Sequence, residues 1–155
     1  MSAEISHQVQ GKPASKKAGK LGILIFAHGS SVPEANQTIA RLAEEVARTS
    51  GYNYVRPSFL ELGEPDLVTA VAGARQAGIE RVVVVPYFLT MGIHLRRDLP
   101  KLIEEVQRRF PEIEIRLAES LDGHPLMAHL VTERAREALA RGEPRLDRGE
   151  RAQKK

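Results

Sequence analysis

Three side chains able to handle a metal ion or a proton fall at the ends of strand-like runs: His28 and His94 after one, Glu61 at the end of another. Two imidazoles and a carboxylate form a donor set suited to Fe, Co, Ni or Zn. A histidine has an unperturbed pKa of about 6.5, so near neutral pH it can ligate an ion or accept a proton. Taken singly, His28 in Ala27-His28-Gly29-Ser30 reads as a loop histidine bonded to backbone, Glu61 as a surface carboxylate, and His94 as an exposed side chain. Their joint placement at one edge of the fold is what favours chemistry. Other candidates lack the pattern their chemistry needs. The turn His28-Gly29-Ser30-Ser31 is no phosphate-binding glycine loop, and Ser30 lacks the G-x-S-x-G elbow of a nucleophile. His124 and His129 fall on different faces of a helix, His124 reading as part of a helix start, and His7 lies in a polar tail.

The elements that must position these residues alternate in type. Leu21–Ala27 is a continuous apolar run, as expected of a strand covered on both faces. Pro33–Ser50 carries Ala35, Ile39, Leu42, Ala43, Val46 and Ala47 at helical spacing and is followed by Gly51, a natural helix terminator. Tyr52–Leu62 reads as a second strand, with Pro57 pointing to an edge or a bulge. A helix is predicted from Pro65 to about Ala77, closed by Gly78. Arg81–Phe88, with four consecutive valines, is the third strand. Asp98 is predicted to cap a helix with Pro100 in its first turn, which leaves His94 in the preceding loop. Ile113–Ala118 alternates as a half-exposed edge strand does, and a last helix runs from about Pro125 to Arg141.

This βαβαβαβα pattern predicts an α/β domain: a four-stranded parallel sheet with helices on both faces and strand order 2-1-3-4. Ligands of open parallel sheets bind beyond the carboxyl ends of the strands, where the order reverses. With neighbouring strands about 4.8 Å apart, His28, Glu61 and His94 are expected to converge within roughly 10 Å there.

Composition narrows the classes of function. The 155 residues suffice for one domain with a core, and there is no cysteine, which excludes disulfides, thiolate metal sites and cysteine nucleophiles. No stretch is apolar for long enough to span a bilayer. Residues 1–20 lack the apolar region of a secretory signal, and Glu4 with no arginine argues against a transit peptide, so a cytoplasmic protein is expected. The net charge of +3 sits in the tails: 1–20 contributes +3 and 142–155 contributes +2, against −2 between them. Neither tail has an aromatic residue to stack on a base, so nucleic acid is not the expected partner. Both tails are expected to be disordered, with one domain over 21–141.

In their order and spacing, Ala27-His28-Gly29-Ser30, Phe59-Leu60-Glu61-Leu62 with Glu64-Pro65, Val85-Pro86-Tyr87-Phe88-Leu89-Thr90 leading to His94, and Asp98-Leu99-Pro100 are specific. From about Leu21 to Leu139 the sequence resembles the class II tetrapyrrole chelatases, in particular the short single-domain sirohydrochlorin cobaltochelatases and the related ferrochelatases and nickel chelatases. The resemblance implies a chelatase-like (flavodoxin-like) half-unit that inserts a divalent metal into sirohydrochlorin or a related tetrapyrrole in cobalamin or siroheme biosynthesis. The metal is the substrate, Co²⁺ ahead of Fe²⁺ and Ni²⁺, and no organic cofactor or ATP is implied. It implies His28 and His94 as the metal-binding, proton-accepting pair and Glu61 as their acidic partner, with the first proton acceptor among the three left open. Longer relatives carry two such units, so a single unit implies a homodimer that rebuilds their cleft.

Arg96 and Arg97, beside His94, are candidates for pairing with the many carboxylates of sirohydrochlorin. Leu89, Thr90, Met91 and Ile93 are candidates for an apolar floor under the macrocycle, and Ser30 for a further substrate contact. The same residues would also serve a non-catalytic carrier of metal or tetrapyrrole, which turnover distinguishes. A flavodoxin-like regulatory domain fits less well, because strand 1 is followed by no acidic cluster.

Overall fold

The computed structural model describes residues 20–142. The predicted tails and His7 lie outside the described residues, apart from Lys20 and Gly142. In chain order the elements are β1 (Leu21–Ala27), α1 (Pro33–Ser50), β2 (Val55–Phe59), α2 (Leu67–Gln76), β3 (Arg81–Pro86), α3 (Ile93–Arg109), β4 (Glu114–Leu117) and α4 (Pro125–Ala140). The four strands form one parallel sheet in the order β2-β1-β3-β4, as the sequence predicts.

Alternation along β1 and β3 divides the core into two layers. Leu24, Phe26, Val82 and Val84 are fully buried against α2 and α3, whose Val71, Ala74, Leu99 and Val106 complete the larger cluster. Burying a side chain of this size stabilises the fold by about 1.5–3 kcal/mol. On the opposite face Ile25 and Val55 pack under Ala43 of α1. That layer is thinner and does not extend far across the sheet, for Val83 and Val85 of β3 are only half-buried.

Several boundaries differ from the sequence reading. β2 is shorter than Tyr52–Leu62, so Glu61 lies two residues past the strand; Pro57 sits on an edge strand, where proline is tolerated. Asp66, rather than Pro65, starts α2, its carboxylate accepting the Thr69 N–H at 2.7 Å. The largest correction concerns α3, which begins at Ile93 with Gly92 as its N-cap. His94 therefore belongs to the first helical turn and not to a loop. Pro100 lies inside the helix, where it has no N–H to give the Arg96 carbonyl, and its side chain faces solvent. α4 forms as predicted, yet none of its residues is buried and it packs on no strand to more than a marginal extent. None of the described helices is long and apolar enough to cross a membrane.

Candidate metal-handling site

β1 and β2 stay paired beyond their last residues. The Leu60 N–H donates to the Ala27 carbonyl at 2.9 Å and the Glu61 N–H to the His28 carbonyl at 3.0 Å. These bonds carry the parallel register into the loops and present His28 and Glu61 side by side. Gly29 makes the approach possible: its φ is +91°, and a Cβ there would lie 1.7 Å from the Glu61 carbonyl oxygen. Only glycine fits. As a result His28 Nε2 stands 3.3 Å from Glu61 Oε1, with both side chains more than half exposed. An imidazole nitrogen and a carboxylate oxygen facing solvent this closely can share an incoming dication or pass a proton between them.

His94 lies beyond the end of β3, the other neighbour of β1, on the first turn of α3 and exposed. Among the described residues no three His, Cys, Asp or Glu side chains are grouped closely enough to hold one ion. The structure thus brings together two of the three predicted residues and leaves His94 outside a preformed ligand cluster.

The predicted substrate-facing residues divide in the same way. Arg96 is occupied within the chain: its Nη2 meets Asp122 Oδ2 at 2.7 Å and its Nε donates to the Met91 carbonyl at 3.0 Å. The Met91 N–H also reaches Asp122, at 3.3 Å. Asp122 therefore ties down the segment that leads into His94. Arg97 makes only a long, exposed contact to Asp98, at 3.4 Å, and stays available to an anionic ligand. Ser30 is occupied within the chain, its Oγ accepting the Val32 N–H at 3.0 Å and its backbone groups bonding to Asn36. Leu89 is 60% exposed and Thr90 is exposed, whereas Met91 packs partly into the core. Met91 also lines a cavity of about 290 Å³ with Arg96, Leu99 and Asp122. Leu62 and Ile93 add exposed apolar surface next to Glu61 and His94, at 61% and 83%.

Two residues that the sequence did not single out have roles here. Asp122 is one. The other is Asn36 of α1, which bonds to both the His28 loop and the Glu61 loop.

A family model described as CbiX matches residues 22–138. The chain belongs to the CbiX family. The sirohydrochlorin cobaltochelatase of Methanopyrus kandleri is 31% identical over 139 residues, an alignment covering 77% of this chain and 97% of that one. Among solved structures, a cobalamin (vitamin B12) biosynthesis CbiX protein from Marinobacter aquaeolei VT8 is 35% identical with a TM-score of 0.70, covering 78% of this chain and 98% of that one. SirB from Bacillus subtilis, solved with Fe³⁺, is 29% identical with a TM-score of 0.69, covering 81% of this chain but 48% of its own. This chain thus spans nearly the whole of the Marinobacter aquaeolei structure and about half of SirB, and the fold described above is similar to both.

Proposed function

We propose that this chain is a sirohydrochlorin chelatase that inserts a divalent metal, Co²⁺ ahead of Fe²⁺ and Ni²⁺, into the tetrapyrrole. The observation that carries the reading is the His28–Glu61 pair, 3.3 Å apart and open to solvent at the carboxyl edge of the sheet. It stands in a chain whose full-length relative is named a sirohydrochlorin cobaltochelatase.

Metal insertion replaces two pyrrole N–H protons by one dication, so the site must deliver the ion and accept two protons. His28 and His94 are assigned as metal ligands and Glu61 as the acidic partner, which lowers the energy of the arriving dication and relays a proton. Arg97 is assigned to the substrate's carboxylates, and Leu89 and Thr90 to contact with the macrocycle. Residues 21–141 form the working unit. Its action in the cytoplasm rests on the cysteine-free composition, which suits a reducing compartment.

The assembly is proposed to be a homodimer. Two features support this: SirB, to which the chain is similar, is about twice as long, and α4 exposes Leu126 and Leu130 without covering its own sheet.

The test uses catalytic amounts of protein with sirohydrochlorin and Co²⁺, Fe²⁺ (anaerobically) or Ni²⁺, followed by the macrocycle's visible spectrum with spontaneous insertion subtracted. Many turnovers, lost in His28→Ala and His94→Ala, are expected. A wild-type rate equal to that without protein, or one product per chain, would refute the reading and favour a carrier.

A further inference from the structure

We propose that Asn36 is a positioning residue for the His28–Glu61 pair, acting through the backbones of the two loops that carry it. What the pair does rests on the proposed function; the positioning itself rests on geometry. The Asn36 Nδ2 donates to the Ser30 carbonyl at 2.8 Å and to the Leu62 carbonyl at 2.9 Å, and its Oδ1 accepts the Ser30 N–H at 2.9 Å. Ser30 is two residues after His28, and Leu62 directly follows Glu61. One side chain, held by α1, therefore fixes both loops against each other.

The pair needs such a device. With both partners more than half exposed, no packing holds the two side chains, and a contact between exposed charged groups is too weak to set its own geometry. Leu62 also has a φ of +53°, a left-handed conformation that a branched side chain resists. Its carbonyl direction persists because Asn36 bonds to it.

Few side chains could replace the amide. Two donors and one acceptor are used within the reach of a two-carbon side chain. Aspartate would turn a carboxylate oxygen toward two carbonyl oxygens. Serine has one donor, and glutamine is a methylene too long.

Gln107 provides a control. It makes three bonds of the same kind, to the Phe110 and Ile113 carbonyls and the Ile115 N–H, where α3 leads into β4 and away from the pair. The experiment compares Asn36→Ala, Asn36→Asp and Gln107→Ala by thermal melting, Co²⁺ affinity, kcat and KM for Co²⁺ with sirohydrochlorin, and hydrogen exchange at the Glu61 amide. All three variants are expected to melt lower than wild type. Only the Asn36 variants are expected to exchange the Glu61 amide faster and to lose about 10–100-fold in Co²⁺ affinity and kcat/KM, the range for groups that orient metal ligands. Aspartate is expected to do no better than alanine despite its near-identical shape.

Asn36 variants within about twofold of wild type in affinity and kcat/KM overturn the proposal, as does an equal loss in folded Gln107→Ala. If the wild type does not turn over, it is the chelatase reading that fails. Co²⁺ affinity and Glu61 exchange then still decide the role of Asn36.

Discussion

At Gly29 a single methyl group is enough to separate His28 from Glu61. Its positive φ alone would cost an alanine about 1–2 kcal/mol, and the clash with the Glu61 carbonyl is added to that. Gly29→Ala is expected to push the His28 and Glu61 loops apart and lower kcat/KM by roughly 100-fold, the scale of a 1 Å misplacement. Gly51→Ala is the comparison: its φ is +76° but no atom lies within 4 Å of the added Cβ, so it is expected to cost about 1 kcal/mol of stability and no activity. Equal activities of the two variants, read in the same steady-state assay, would show that the loop contact does not matter. The adjacency of His28 and Glu61 was legible because β1 is a plain apolar run and strand 2 was expected beside it, although β2 proved shorter than Tyr52–Leu62. Asn36 was not legible, because its partners are backbone carbonyls in loops whose shapes depend on a positive φ at Gly29 and at Leu62. Neither dihedral leaves a periodic signal.

Between residue and fold, the elements set how firmly each loop is anchored. Asp66 starts α2 just behind the Glu61 loop. The Thr69 side chain, then its backbone N–H, hold the Asp66 carboxyl below its ordinary pKa. A depressed folded-state pKa stabilises the fold above the unfolded value of about 3.9 and ceases to do so as pH falls through the folded value. Asp66→Ala is therefore expected to cost about 1 kcal/mol near neutral pH, the usual worth of an N-cap, with the difference in melting temperature closing in acid. A gap in melting temperature that stays constant from pH 7 to pH 2 would show that the carboxylate charge is irrelevant.

On the other side of β1, the Asp122–Arg96–Met91 bonds anchor the segment carrying His94. Asp122→Ala is expected to reduce kcat/KM about tenfold, with Arg96→Lys failing to substitute for Arg96 because an ammonium cannot keep both bonds in one plane. Unchanged kinetics in both variants would assign the clamp to stability alone. The sequence reading began α3 too late for a physical reason. Asp98 and Pro100 form a good helix start locally, but burial of Leu99 and packing of Leu95 against the core extend the helix back to Ile93. Tertiary packing overrode the local cap.

The whole sheet was legible, since right-handed crossovers and short loops limit the topologies of four strands with helical spacers, and the simplest order, 2-1-3-4, is the one found. The environment of α4 was not. Its period is helical, but what it packs against cannot be read from one chain. A sixteen-residue helix is marginal in water by itself and normally depends on packing of an apolar face. Here Leu126 and Leu130, one turn apart on the same face, remain open at 66% and 46% exposed. A chain of double length could cover such a face from its second unit, and in the proposed homodimer a second copy would cover it. Leu130→Glu puts a charge into that face without touching the sheet or the His28–Glu61 pair. Sedimentation equilibrium is expected to give the mass of two chains for the wild type and one for Leu130→Glu, with near-unchanged circular dichroism. If dimerisation completes the cleft, activity at dilute protein falls along with the dimer and recovers as concentration rises. A wild type that sediments as one chain while turning over at full rate would mean that one unit suffices. The exposed surface of α4 would then have to be explained by a different partner.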